Sequence, residues 1–179
     1  MSHGMPDSLA RHQGPLRPMA LALAVLDAIA GWTIVGLLST MVALVSIQVL
    51  LRYVFKSSMG FADEISRLTF VWSIFLAIPL GIRLGVHIGM ELLTARLPAA
   101  AQNVLVRLMA TIAAAMMVLV AWQSTVVAFD QWDEAMASTR ASAAWFLVAV
   151  ALGCAHSALH LAWIVLTGKP QLTASVATE

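Results

Sequence analysis

Two histidines near the C-terminus are the residues best suited to bind a metal or a haem, or to relay protons. His156 and His160 are four positions apart, which places both rings on one face of a helix, and Cys154 lies close by. A zinc site needs a third ligand, and the other apolar segments contain no histidine. A haem needs its two axial ligands on opposite sides of the macrocycle, which one helix cannot provide. We therefore predict no metal and no cofactor, with both rings hydrogen-bonded to neighbouring helices or at the membrane interface.

Three other polar residues, Asp27, Gln48 and Arg107, lie within or at the ends of apolar segments. A charge at the centre of a bilayer costs about 2.5–3.5 kcal/mol on insertion scales, so such groups usually face protein. Asp27 and Arg107 both fall towards the ends of their segments that we place on the cytoplasmic side of the membrane. There they can pair with each other or reach lipid headgroups. A substrate path would need several polar groups at mid-depth. The sequence offers no such set, which disfavours an autonomous carrier or pore.

The composition sets the class of protein. Of the 179 residues, 61% are apolar and 11% charged, whereas soluble domains average about 45–50% and about 25%. Ten basic against nine acidic residues leave a net charge of +1, which gives a nucleic acid no attractive field. One cysteine excludes a disulfide framework, and no nucleotide-binding or hydrolase motif occurs. We predict an all-α integral membrane protein that is not an enzyme.

Four apolar stretches are long enough to cross a bilayer, which takes about 20 helical residues. The predicted spans are about 28–51, 68–84, 104–129 and 141–167, preceded by a disordered leader at 1–18 and followed by a tail at 169–179. Arg11 and Arg17 before an apolar run imitate a signal peptide, but Asp27 interrupts that run, so we expect the first helix to be retained.

The segment between the second and third spans has a pattern of its own. Val86, Met90, Leu93 and Leu97 fall on one helical stripe, which predicts a short amphipathic helix over 86–97 lying in the membrane interface. Lys and Arg near the helix ends divide six to four in favour of both termini in the cytoplasm. We adopt that orientation.

The densest charged cluster lies between the first two spans and consists of Arg52, Lys56, Asp63, Glu64 and Arg67. The two acidic residues come near the N-terminus of the second helix, whose dipole favours anions. Arg67 follows them by three and four positions, so it can pair with either on the helix surface. On residues alone, the cluster is a collar at the membrane interface.

Three stretches around this collar form a recognisable pattern: QVLLRYVF at 48–55, ADEISRLTFVW at 62–72 and IRLGVHIGMELL at 82–93. They resemble the small (DctQ-like) membrane subunit of tripartite ATP-independent periplasmic (TRAP) transporters. The family pattern falls on Arg52, Tyr53, Glu64, Arg67, Trp72, Arg83, His87 and Ile88. Together with Asp63, these residues are expected to be structural or to contact partners. Phe61 departs from the pattern, since the family often has Trp there.

The resemblance implies a non-catalytic subunit of a three-component transporter in the bacterial inner membrane. Its partners would be a large permease subunit that moves solute with sodium, a periplasmic protein that captures an organic anion, and membrane lipid. The small subunit would brace the large one and contribute to docking of the binding protein. Two other classes stay open: a haem-binding anchor of a respiratory oxidoreductase, using His156 or His160, and a scaffold of an unrelated membrane complex.

Overall fold

The computed structural model describes residues 17–57, 59–84 and 98–167, which form four long helices. They are α1 (Arg17–Val54), α2 (Gly60–Arg83), α3 (Ala99–Asp130) and α4 (Ala144–Thr167). Each is long and apolar enough to cross a membrane. The predicted all-α membrane fold with four long apolar helices is confirmed. The amphipathic helix expected over 86–97, most of the leader and all of the tail lie outside the described residues.

The helices and the predicted spans differ mainly at their N-terminal ends. α1 begins at Arg17 rather than at residue 28, α2 at Gly60 rather than 68, and α3 at Ala99 rather than 104. An apolar run stops at the first polar or charged side chain, whereas a helix can continue through it, as α1 does at Asp27, α2 at Arg67 and α3 at Asn103. With 38 residues, α1 is about 57 Å long at about 1.5 Å per residue. It therefore exceeds a hydrocarbon core of about 30 Å and must tilt or extend beyond it.

α4 begins later than predicted, at Ala144 instead of residue 141, because the preceding residues form a hairpin-like connection. The amide of Ala143 donates to the carbonyl of Glu134 at 2.7 Å, and the amide of Met136 donates to that of Ala141 at 2.8 Å. Arg140 takes a positive φ of 54° at the turn. The backbone groups just before α4 are thus bonded across this connection rather than along a helix.

The helices pack in the order α1, α2, α4, α3. α2 and α4 are therefore the central helices, and α1 and α3 flank them. Half of the apolar window of α4 is buried, whereas none of that of α1 is. Large side chains on the flanking helices are open, including Trp32 on α1 and Trp122 on α3, which are 80% and 68% exposed. The flanking helices keep broad apolar surfaces for lipid or for another protein.

One narrow face of α1 packs against its neighbours. The least exposed residues recur at alternating steps of four and three: Leu23, Asp27, Ala30, Ile34, Leu37, Met41, Leu44, Gln48 and Leu51. This is the heptad spacing of a helix that packs along an almost antiparallel partner. Asp27 and Gln48 are the only polar members of this seam, and each lies near one of its ends.

The central helices approach each other closely at Gly153 of α4. A Cβ atom added there would lie 2.5 Å from the carbonyl oxygen of Phe75 on α2. Only a residue without a side chain permits this backbone contact, as is common where membrane helices cross. Nearer the C-terminal end of α4, the close-packed residues are Ile82, Ala110, Leu161 and Ile164, which join α2, α3 and α4. This packing positions α4 beside both α2 and α3.

Candidate functional site

A polar cluster joins three helices at the end of the molecule where α1 begins and α2 ends. At its centre is Asp27, which is 3% exposed. The Nε2–H of His160 donates a hydrogen bond of 2.8 Å to its Oδ1 atom, and Nε2 of His156 lies 3.1 Å from the same oxygen. On the other side, a guanidinium nitrogen of Arg83 lies 3.2 Å from Oδ2. We call these four residues the Asp27 cluster.

Each helix presents its member of the cluster for a local reason. Asp27 belongs to the least exposed face of α1, and Arg83 is the last residue of α2. His156 and His160 are one turn apart on α4, so both rings face α1, with ring centroids 5.0 Å apart. The predicted hydrogen bonding of these rings to a neighbouring helix is formed for His160. The cluster therefore connects α1 to both central helices.

The hydrogen bonding in the cluster is incomplete. His156 Nε2 and Asp27 Oδ2 are both buried, yet neither has a hydrogen-bond partner of acceptable geometry. The ring of His156 is close to the carboxylate but not aligned with it, and the Arg83 contact is an ion pair without an aligned hydrogen bond. Buried polar atoms are nearly always bonded, so these two call for an explanation.

Two polar contacts join α1 to α2, one towards each end of the two helices. Besides the Asp27–Arg83 pair, Gln48 Nε2 donates to Asp63 Oδ1 at 3.1 Å. The contacts are 21 positions apart on α1 (27 to 48) and 20 on α2 (63 to 83). At about 1.5 Å per residue, both intervals equal about 30 Å, the thickness of a hydrocarbon core. The two contacts are thus separated along the helices by about the thickness of one hydrocarbon core.

The cluster differs from the sequence expectation in two respects. Asp27 pairs with Arg83 and not with Arg107, which is exposed on α3. No metal was expected, because the other apolar segments contain no histidine that could be the third ligand. In the structure Asp27 supplies a third ligand-type side chain, and its carboxylate oxygen and the two histidine nitrogens all lie within 4.8 Å of one another. No pattern in the sequence around Asp27 indicated its position beside the histidines, because the heptad seam of α1 is apparent only from the burial of its residues.

At the opposite end, Glu64 connects α2 to the hairpin between α3 and α4. One carboxylate oxygen accepts the amide of Ser138 at 2.7 Å. The other accepts the amide of Thr139 at 2.8 Å and its hydroxyl at 2.9 Å. Among the described residues, the expected pairing of Arg67 with Asp63 or Glu64 is not formed. Both carboxylates instead accept hydrogen bonds from uncharged donors on other segments.

Trp72 extends this connection towards α4. Its indole N–H donates to the carbonyl of Trp145 at 3.1 Å, and the two ring centroids are 6.4 Å apart. Trp132, in the hairpin, lies 6.2 Å from Trp145 on the same centroid measure. Aromatic rings with a polar edge are favoured at membrane interfaces. Trp72 is thus a packing residue between α2 and α4 at this end.

The remaining predicted residues are not gathered into a site. Arg52, Tyr53 and Arg67 are exposed at the end occupied by Glu64. Tyr53 is 78% exposed, which leaves its ring open to a partner or to lipid headgroups. His87 lies outside the described residues.

A sequence profile of the DctQ component of tripartite ATP-independent periplasmic transporters matches residues 41–168. The chain belongs to this family. The match runs from within α1 to just beyond α4, and it includes every collar residue described above. As a member of this family, the chain is a transporter component and a multi-pass membrane protein. Family membership therefore replaces the hypotheses of a respiratory anchor and of a scaffold for an unrelated complex. Asp27 lies outside the matched residues, whereas its three partners lie within them.

A relative in Haemophilus influenzae carries the description "Putative TRAP transporter small permease protein". It is 35% identical to the DctQ-family chain over 71 residues, which is 40% of this chain and 44% of the relative. The alignment thus covers less than half of the relative's length.

Proposed function

We propose that this chain is the small subunit that binds and braces the large permease subunit of a TRAP transporter. In this proposal the assembly imports an organic anion with sodium, and a periplasmic binding protein delivers that anion. The observation that carries the proposal is the packing order of the helices in a chain of the DctQ family. Two central helices are partly covered, while α1 and α3 keep broad apolar faces open.

The buried polar groups support an accessory role rather than independent transport. The buried carboxylate and histidine among the described residues are Asp27 and His160, which bond to each other towards one end of the molecule rather than midway along the helices. At mid-depth, the hydroxyls of Thr69 and Ser73 on α2 donate to carbonyls of their own helix. Hydroxyls used in this way do not line a path for an organic anion, whose carboxylate would need donors or cations along its route. Solute movement is therefore assigned to the large subunit.

The end of the molecule around Glu64 is the surface we assign to the binding protein. With both termini in the cytoplasm of an inner-membrane protein, this end faces the periplasm. The hairpin is held to α2 by three hydrogen bonds to Glu64, so its position is fixed. It presents the exposed side chains of Asp133, Glu134 and Arg140 to the water. A fixed polar hairpin suits repeated, reversible docking of a soluble protein.

The test is uptake into proteoliposomes that contain the large subunit and the binding protein, with and without this chain. We expect sodium-driven uptake only when this chain is present, and none from this chain alone. Omitting sodium on the outside of the vesicles is the control for coupling. Full uptake without this chain, or any uptake by it alone, would contradict the proposal.

A further inference from the structure

The Asp27 cluster has the side chains of a divalent-metal site. The three candidate ligand atoms are Nε2 of His156, Nε2 of His160 and a carboxylate oxygen of Asp27, all within 4.8 Å of one another. The carboxylate Oδ1 is 3.1 Å from the first nitrogen and 2.8 Å from the second. Tetrahedral zinc with bonds of about 2.0–2.1 Å places its ligand atoms about 3.3 Å apart. Two of the three distances between candidate ligand atoms are thus within several tenths of an ångström of the separation expected around tetrahedral zinc.

We propose that Asp27, His156 and His160 bind one divalent transition-metal ion, with Zn²⁺ as the preferred ion. The proposal does not depend on the transport function, because it concerns the joining of α1 to α4. It replaces the expectation that the two histidines lack a third ligand.

The unpaired nitrogen of His156 is the independent observation that points to a ligand. The His156 side chain is 10% exposed and Asp27 is fully covered, yet Nε2 has no hydrogen-bond partner. This nitrogen lies 3.1 Å from Oδ1 of Asp27 without the alignment of a hydrogen bond, so it recovers only part of its lost hydration. A metal ion between the rings would take the lone pairs of both Nε2 atoms. The ring protons would then reside on the Nδ1 atoms, so neutral histidine needs only a change of tautomer.

Arg83 fits the site as a neighbour of the ligand rather than as a competitor. It contacts Oδ2 of Asp27, which leaves Oδ1 for the metal. Ligating carboxylates are usually held in this way by a second residue. The guanidinium would repel a cation, but its side chain is 31% exposed, so water screens part of its charge. The same positive charge would fix the carboxylate in one orientation.

The ligand set determines which metal is suitable. Mg²⁺ and Ca²⁺ need many oxygen ligands, which one carboxylate and two imidazoles do not supply. Cys154 is two positions before His156 but is not among the converging groups, so the site has no thiolate. Imidazole with a carboxylate suits Zn²⁺ and its neighbours in the first transition series. With three protein ligands, a fourth position would remain for water.

The experiment uses the full-length chain, without a polyhistidine tag, in lipid nanodiscs. After treatment with EDTA, the chain is titrated with Zn²⁺, dialysed and analysed for metal content. We expect one Zn²⁺ per chain. His156→Ala and His160→Ala should each weaken binding by more than the roughly 10–100-fold that follows the loss of an outer partner. Cys154→Ser is the matched control on the same helix and should bind like the native chain.

Failure to bind Zn²⁺ by the native chain would overturn the proposal. Binding of the ion by both histidine variants would overturn it too, because the ion would then lie elsewhere. If the variants do not fold, X-ray absorption at the zinc edge of the native chain decides the question. Two imidazoles with oxygen ligands would support the site, whereas a sulfur ligand or the absence of imidazole would overturn it.

Discussion

The contact between Gly153 and Phe75 makes the strongest quantitative prediction about this fold. Gly153→Ala would put a Cβ atom 2.5 Å from the carbonyl oxygen and 2.8 Å from the carbonyl carbon of Phe75. Cβ atoms essentially never come this close to another heavy atom. The obstacle is backbone within a helix, so it cannot turn away as a side chain can. The two central helices must therefore separate.

The magnitude follows from two opposing effects. Overpacking a close contact costs about 1–3 kcal/mol, and a rigid backbone obstacle favours the upper part of that range. Replacing a helical glycine by alanine returns about 1 kcal/mol of helix propensity. We expect a net loss of about 1–2 kcal/mol, which lowers the ratio of folded to unfolded protein about 5–30-fold.

The assay is reversible unfolding in mixed detergent and SDS, followed by circular dichroism. Gly81→Ala is the matched control, because a Cβ atom at Gly81 would meet nothing within 4 Å. The control should be as stable as the native chain or slightly more stable. If Gly153→Ala were as stable as this control, the close approach of α2 and α4 would not exist.

Three further predictions concern the end of the molecule around Glu64 and the orientation of the chain in the membrane. Glu64→Ala should reduce co-purification with the large subunit more than Lys56→Ala, because Glu64 holds two hairpin amides whereas Lys56 is exposed; equal yields would contradict this. Trp72→Phe should lower the free energy of unfolding by about 0.5–1.5 kcal/mol through the lost indole hydrogen bond, while Trp122→Phe, on an exposed face, should not. Single cysteines at residue 95 and in the tail, in a Cys154→Ser background, should resist membrane-impermeant labelling from the periplasm, and labelling from that side would reverse the proposed topology.

The number of helices could be predicted from the sequence because the bilayer requires about 20 apolar residues for each crossing. The packing order could not be predicted in this way. Around α1, nearly every face is apolar, so polarity does not distinguish the side that meets protein from the side that meets lipid. The heptad seam from Leu23 to Leu51 becomes apparent only when burial is known.

The same difficulty explains the interpretation of Asp27. The sequence placed Asp27 at the beginning of its apolar span and gave Arg107 or the lipid headgroups as its possible partners. Choosing between Arg83 and Arg107 required knowing that α1 packs on α2 and not on α3. The contact with His160 joins residues 133 positions apart, and no local pattern encodes such a contact. At the collar, the sequence singled out Glu64 but not its uncharged partners in the hairpin.

The Asp27 cluster should stabilise the fold even without a metal, and this contribution is measured in EDTA. Asp27→Ala would remove the acceptor of the buried His160 ring and leave Arg83 unpaired. Breaking a buried charge pair costs about 3–5 kcal/mol. Because Arg83 is 31% exposed, it can regain water, which reduces our expectation to about 2–3 kcal/mol.

Two variants separate the lost charge from the lost hydrogen bond. Asp27→Asn keeps an oxygen that can accept from His160, so it should be less destabilising than Asp27→Ala. Asp130→Ala, at the exposed end of α3, is the control and should change the free energy of unfolding by less than about 0.5 kcal/mol. If Asp27→Ala unfolded like this control, the cluster would add nothing to stability on its own. The buried carboxylate would then need a different reason to lie between two histidines, and metal binding would be the first to examine.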